Sequence, residues 1–173
     1  MKIKKQRSLR MGKMRIPIIS AAIILSFIGS GLFAEEAARW TKGDRFDAVR
    51  YEDQHGSIHV LDSNVRNVIF LADMDAKDSL HEVLNDRGQE YLDQHHAVII
   101  ADIHRMPYLV SVMFALPAMR DYPYRLYLIR EKGPGLRFPQ KPGHMTLIRL
   151  KDRVIESIDL FQSGKGLLEA LEE

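Results

Sequence analysis

An α/β fold with a mixed central sheet is the architecture that this sequence predicts, on three observations. Two short runs, residues 65–72 (VRNVIFLA) and 97–103 (AVIIADI), are apolar almost throughout and have the length and β-branched content of strands buried on both faces. Between them, from Asp78 onward, Leu80, Val83, Leu84, Tyr91 and Leu92 recur at helical spacing with polar residues between. After the second run, Pro107 is placed to open another helix over Leu109, Val110, Val112, Met113 and Phe114. Strand, helix, strand, helix is the order of a parallel sheet covered by helices.

The remaining elements add antiparallel strands. Residues 39–46 read as an exposed lead-in. Residues 45–52 then alternate apolar and polar, Asp53-Gln54-His55-Gly56 offers turn chemistry, and residues 57–61 resume with Ile58 and Val60 alternating against His59, so an N-terminal hairpin is expected. Pro117 and Pro123 should close the second helical region. Residues 124–130 and 145–150 read as strands, separated by loops at Gly133-Pro134-Gly135 and residues 139–143. Residues 154–160 form a last strand behind a tight Lys151-Asp152-Arg153 turn, and Ser163 caps a C-terminal helix through Leu167, Leu168 and Leu171. The sum is a three-layer α/β/α sandwich with a mixed central sheet and an N-terminal β-hairpin.

At 173 residues, 46% hydrophobic and 28% charged, the chain suits one core rather than two. Its charge is unevenly placed. Of 25 Lys and Arg, seven fall before residue 34, where there is no Asp or Glu; the other 18 face 23 acidic residues, so the remainder carries a formal charge of −5. A mildly acidic domain has no electrostatic source for non-specific nucleic-acid affinity. The basic run leads into residues 16–34 (IPIISAAIILSFIGSGLFA), an uncharged apolar stretch ending in small residues before Glu35 and Glu36. That is the pattern of a secretory signal cleaved after Ala34. An uncleaved signal anchor is the alternative, since about 20 apolar residues cross a bilayer. Either outcome puts residues 35–173 on the far side of the membrane. The sequence contains no cysteine, so the fold rests on its hydrophobic core, and thiol redox, thiolate nucleophiles and thiolate metal sites are ruled out.

Certain stretches are also familiar in kind. Residues 146–171 (TLIRLKDRVIESIDLFQSGKGLLEAL) resemble the last hairpin and closing helix of thioredoxins, and the strand ending Ile69-Phe70-Leu71-Ala72-Asp73 resembles the one leading into their active-site helix. In that register Asp75 and Asp78 occupy the two CxxC positions and Met145 stands where the family keeps its cis-proline. The stretch EDQHG at residues 52–56 resembles the N-terminal hairpin of peroxiredoxin-like branches of the fold. Tyr122-Pro123-Tyr124 with the following strand, the loop through Phe138 and the final hairpin are similar to the YtfJ-type group of exported bacterial proteins. The resemblance implies a thioredoxin-like fold without its redox apparatus and a periplasmic location. It names no substrate, because that group has no known role.

The segment DMDAKD, residues 73–78, is the foremost candidate site. Ligands of open α/β sheets sit beyond the carboxyl ends of strands, and this segment lies at such an end and opens a helix. Asp73, Asp75 and Asp78 could bind a hard divalent cation, or serve as an acid and base if mutual repulsion keeps one protonated. Lys77 would balance one of them. The alternative is capping: aspartates at a helix start accept free backbone N–H groups and favour the positive end of the dipole. Asp102 and His104 end the neighbouring strand, and the thioredoxin register brings His144 and Met145 to the same face. An imidazole beside carboxylates suits a general base or metal ligand.

His95 and His96 read as a solvated pair, while His55, His59 and His81 show no ligand spacing with one another. Met106, Met113, Met119 and Phe114 are read as core packing. Tyr122, Tyr124 and Tyr127 are read as strand formers or an aromatic contact surface. Neither G-x-S-x-G nor a glycine-rich dinucleotide loop is present.

Two functions follow. One is a non-redox binding module, taking a protein or small ligand at Asp73, Asp75, Lys77, Asp78, Asp102, His144 and Met145, the face that carries the thioredoxin active site. The other is an acid/base or metal-assisted enzyme using Asp73, Asp75, Asp78 and His104. No cofactor is expected, a divalent cation being the single candidate, and the membrane enters only through an uncleaved N-terminal segment.

Overall fold

Seven strands form one sheet in the order β2-β1-β5-β4-β3-β6-β7, in a computed structural model that describes residues 38–46, 49–61 and 63–173. The expected export segment, residues 1–34, lies outside the described residues. β3 (Asn67–Leu71), β4 (Ala97–Asp102) and β5 (Leu126–Ile129) are parallel. β1 (Arg50–Asp53) and β2 (Ile58–Val60) make the expected hairpin, and β1 runs antiparallel to β5. On the other side β6 (Met145–Lys151) and β7 (Val154–Phe161) add a second antiparallel pair. Their turn places Asp152 at φ 50° and Arg153 at φ 66°, the paired positive angles that match a two-residue hairpin to the strand twist. The mixed sheet is therefore the one that the sequence predicts.

Both faces of the central strands are buried, which is why they read as unbroken apolar runs. Ile69 and Leu71 face a core shared with Ala76, Leu80 and Leu84 of α1 (Met74–Leu84), Leu92 of α2 (Gly88–Gln94) and Leu167, Leu168 and Leu171 of α5 (Gly164–Leu171). Close approach of α1 and α5 depends on Gly164, where an added methyl group would collide with the Ser79 carbonyl. Val68 and Phe70 point the other way, into a core whose cover is built differently. There Phe138 stacks on Phe70 with centroids 4.1 Å apart, following the 3-10 turn Pro134–Arg137, while Trp40 and Phe46 pack against it.

That second cover corrects the reading of residues 39–46 as an exposed lead-in. Trp40 and Phe46 are buried, and the segment is tied down by bonds from Trp40 N–H to the Arg137 carbonyl and from Phe46 N–H to the Arg153 carbonyl. The physical reason is that, among the described residues, only short helical structure covers this sheet face, so its apolar surface draws in the flanking aromatic residues.

Two helix boundaries also differ from expectation. α1 starts at Met74, not Asp78, because Asp73 is its N-cap and the acidic segment forms its first turns. The second helical region does not stop at Pro117. α3 (Tyr108–Val110) passes through a π-helical turn, Ser111–Ala115, into α4 (Leu116–Arg120), with the proline in the first turn of α4. A proline lacks the N–H that a regular helix would require there, and the wider turn lets the chain continue.

This region also inverts the usual arrangement of a surface helix. Ser111 is buried, while Tyr108, Leu109, Met113 and Phe114 are 78%, 67%, 62% and 67% exposed. Met113 and Phe114 are thus not core residues. Met119 is, and Met106 packs against the same core.

Candidate functional site

The carboxyl ends of β3 and β4 open onto a cavity of about 340 Å³ lined by Leu71, Asp73, Met74, Lys77, Asp102 and Met106, among others. It exists because the chain diverges there: β3 leads into α1, and β4 leads through a turn into α3. A second hollow, about 380 Å³, shares Met74, Lys77, Met106 and Met119 and extends past Val110 and Phe114 to Tyr122. Together they make one groove between α1 and the helix of residues 108–120.

Asp73 is the hinge of the groove. One carboxylate oxygen accepts the Ala76 N–H at 2.9 Å, capping α1; the other accepts the Gly143 N–H at 2.8 Å from the loop before β6. The aspartate so joins the strand end to the loop before β6. Both of its oxygens are then engaged by backbone donors. Lys77, one turn further along α1, donates to the Tyr122 hydroxyl at 2.8 Å and pairs with Asp78 at 2.6 Å. Burial would lower the Lys77 pKa, but the hydrogen bonds to Asp78 and Tyr122 outweigh it and hold the ammonium above its ordinary range. His81 stacks on Tyr122 at 4.0 Å and shares a 2.9 Å hydrogen bond with the Tyr124 hydroxyl. Burial and the nearby Lys77 charge lower its pKa.

On the β4 side, Asp102 accepts from His104 twice, from the backbone N–H at 3.1 Å and from ring Nδ1–H at 2.6 Å. The pair is largely enclosed, its side chains 6% and 14% exposed. Gly135 makes room for it, since a methyl group at that position would overlap the Asp102 carboxylate.

The structure therefore separates the residues that the sequence groups together. Asp73, Lys77 and Asp102 line the cavity; Asp75, Asp78, His104, His144 and Met145 do not. Asp75 is exposed in the first turn of α1, and Asp78 faces solvent beside Lys77. His144 Nδ1–H donates to the Pro142 carbonyl, and Met145 is fully buried at the start of β6. Among the described residues no group of three or more His, Asp or Glu side chains is arranged to hold a metal ion. Asp73, Asp75 and Asp78 accordingly form no three-carboxylate cluster. The residues that sequence reasoning missed are the apolar ones, Met74, Met106, Met119, Val110 and Phe114. Val110, Phe114 and Met119 belong to the helix of residues 108–120, whereas Met74 and Met106 lie outside it, and no local sequence signal marks the five as one surface.

No protein-family model matches the sequence, and no curated protein sequence matches it. Solved structures do share its architecture. A PrxQ mutant from Xylella fastidiosa is 9% identical, aligning over 78% of this chain and 97% of that chain with a TM-score of 0.52. A putative protein disulfide isomerase from Bacteroides thetaiotaomicron is 14% identical over 76% of this chain and 86% of that one, TM-score 0.52. The peroxidoxin BcpB from Mycobacterium tuberculosis is 14% identical over 76% of this chain and 96% of its own, TM-score 0.51. At these identities the likeness establishes the fold alone, and that fold is thioredoxin-like.

Proposed function

We propose that this protein is a non-redox binding module of the YtfJ type, exported to the periplasm, which holds an apolar segment of a protein or an apolar small ligand in the groove beside α1. The single observation behind this reading is the groove itself: two contiguous hollows of about 340 and 380 Å³ that share four residues and are flanked by exposed apolar side chains. Methionine side chains are flexible and polarizable, which suits a surface that accepts varied apolar partners. Lys77 and Asp102 sit at its polar end and would orient what binds. With no cysteine in the sequence, the thioredoxin-like face serves recognition rather than disulfide exchange.

An environment-sensitive apolar dye tests the reading. Its emission should rise on the wild-type protein, and Phe114→Asp or Met74→Asp, both at exposed positions, should remove most of the gain by placing a charge in the groove. Equal dye binding by wild type and both variants would refute it.

A second reading, acid/base catalysis, is favoured by the 2.6 Å hydrogen bond between Asp102 and His104. A carboxylate in that position fixes an imidazole's orientation and tautomer. His104→Ala separates the two: the binding module keeps its dye response, and an enzyme loses turnover.

A further inference from the structure

At the amino end of β5 lies a different cleft, of about 500 Å³, lined by Asp53, His55, His59, Gln89, Tyr124 and Arg125 among others. Its walls are held by hydrogen bonds. Asp53 is buried at the end of β1, and its Oδ1 accepts the backbone N–H groups of His55 and Ser57 in the turn that follows, each at 2.9 Å. Its Oδ2 receives His59 Nε2–H at 2.7 Å and faces Arg125 Nε at 3.7 Å. The Arg125 backbone N–H is fixed by Gln89 Oε1 at 2.8 Å. Gln54 behind them donates to the Tyr124 carbonyl and accepts from Leu126 N–H, both at 2.8 Å.

We infer that this cleft is a binding site for a small oxyanion, a carboxylate or phosphate group gripped by the Arg125 guanidinium, with the His59 ring beside it. The buried carboxylate is what makes the guanidinium ready. It holds the imidazole through Nε2–H, and it draws the guanidinium to the cleft through a 3.7 Å ion pair too long to be a hydrogen bond, so that among the described residues the guanidinium fork stays available. A guanidinium carries five N–H donors in a fork that matches two oxygens of a carboxylate or phosphate. The negative charge of Asp53 is already answered by its own partners, and Glu52 is paired with Arg130 at 2.9 Å, so neither leaves an unopposed charge against an arriving anion. The groups facing His59 are Asp53, Arg125 and the ring of Tyr127, with His55 at the rim. The cleft meets the apolar groove at Tyr122, which lines both, but Arg125 and His59 line the cleft and not the groove, so the two proposals are tested by different residues.

Titration of the intact protein with sodium phosphate and, separately, sodium acetate, followed by NMR of the Arg125 Nε–H and His59 ring signals, tests this directly. Sodium chloride at matched ionic strength is the reference. Saturable shifts with either oxyanion are expected, and the ion that gives them identifies the source as phosphate or carboxylate. Arg125→Met, at a half-exposed side chain, should weaken binding about tenfold, the scale of lost charge-assisted hydrogen bonds. Phe114→Ser should leave it unchanged. Absence of saturation with both ions, shifts that chloride reproduces, or His59 shifts retained in full by Arg125→Met would each overturn the proposal.

Discussion

Two regions of this molecule break the inside–outside rule in opposite directions. At the hairpin end, Asp53 and Gln54 are buried at 4% and 1% exposure. Along residues 108–114, tyrosine, leucine, methionine and phenylalanine stand in water. The hairpin end is internally complete: every polar atom of the Asp53 and Gln54 side chains has a partner within the chain. The helix is incomplete, because apolar surface in water has no compensating contact among the described residues. The buried polar groups are satisfied within the chain and hold Arg125 in place, while the exposed apolar side chains mark a surface that functions with something else against it.

Mutations that leave each region half-finished sharpen the contrast. The largest effect belongs to Gln54→Leu, which strands the Tyr124 carbonyl and the Leu126 N–H inside the protein. Each unsatisfied group costs about 1–3 kcal/mol, readable by chemical denaturation. Asp53→Asn comes next and is pH-dependent. Burial raises the Asp53 pKa, but hydrogen bonds from the Ser57 backbone, the His59 ring and the His55 backbone outweigh it and hold the carboxyl below its ordinary value. A folded-state pKa below the unfolded one stabilises above the unfolded value, and the stability is lost as pH falls through the folded value. Wild type should therefore exceed Asp53→Asn in Tm at neutral pH, with the gap closing under acid. A gap that stays constant down to about pH 3 would break the assignment. The smallest effect is Phe114→Ser, expected to stay within about 0.5 kcal/mol by the same denaturation, because an exposed side chain leaves no cavity. A loss of several kcal/mol there would mean that Phe114 is structural and the contrast false.

Much of the fold was legible in the chain because its signals are local. β3 and β4 were readable as unbroken apolar runs, β6 and β7 from the turn at residues 151–153, and α5 from Ser163, whose hydroxyl accepts the Gly166 N–H. The strand-end rule located Asp73, Lys77 and Asp102 at the cavity. It did not do so for Asp75 and Asp78, since proximity in sequence does not say which way a side chain turns once the helix starts at Met74, nor for His104, whose ring is bonded back to Asp102.

By itself, then, the sequence determined the strands, their order of types, the absence of thiol chemistry and the acidic opening of α1. Tertiary structure alone decided what each apolar stripe faces. Trp40 and Phe46 went inward to cover a sheet face with little helix over it, and Met113 and Phe114 turned outward beside a buried serine. The reason is that periodicity is a property of one segment, whereas burial is settled by which other surfaces reach it. Hydrophobic attraction has no direction of its own and follows the geometry of the whole chain.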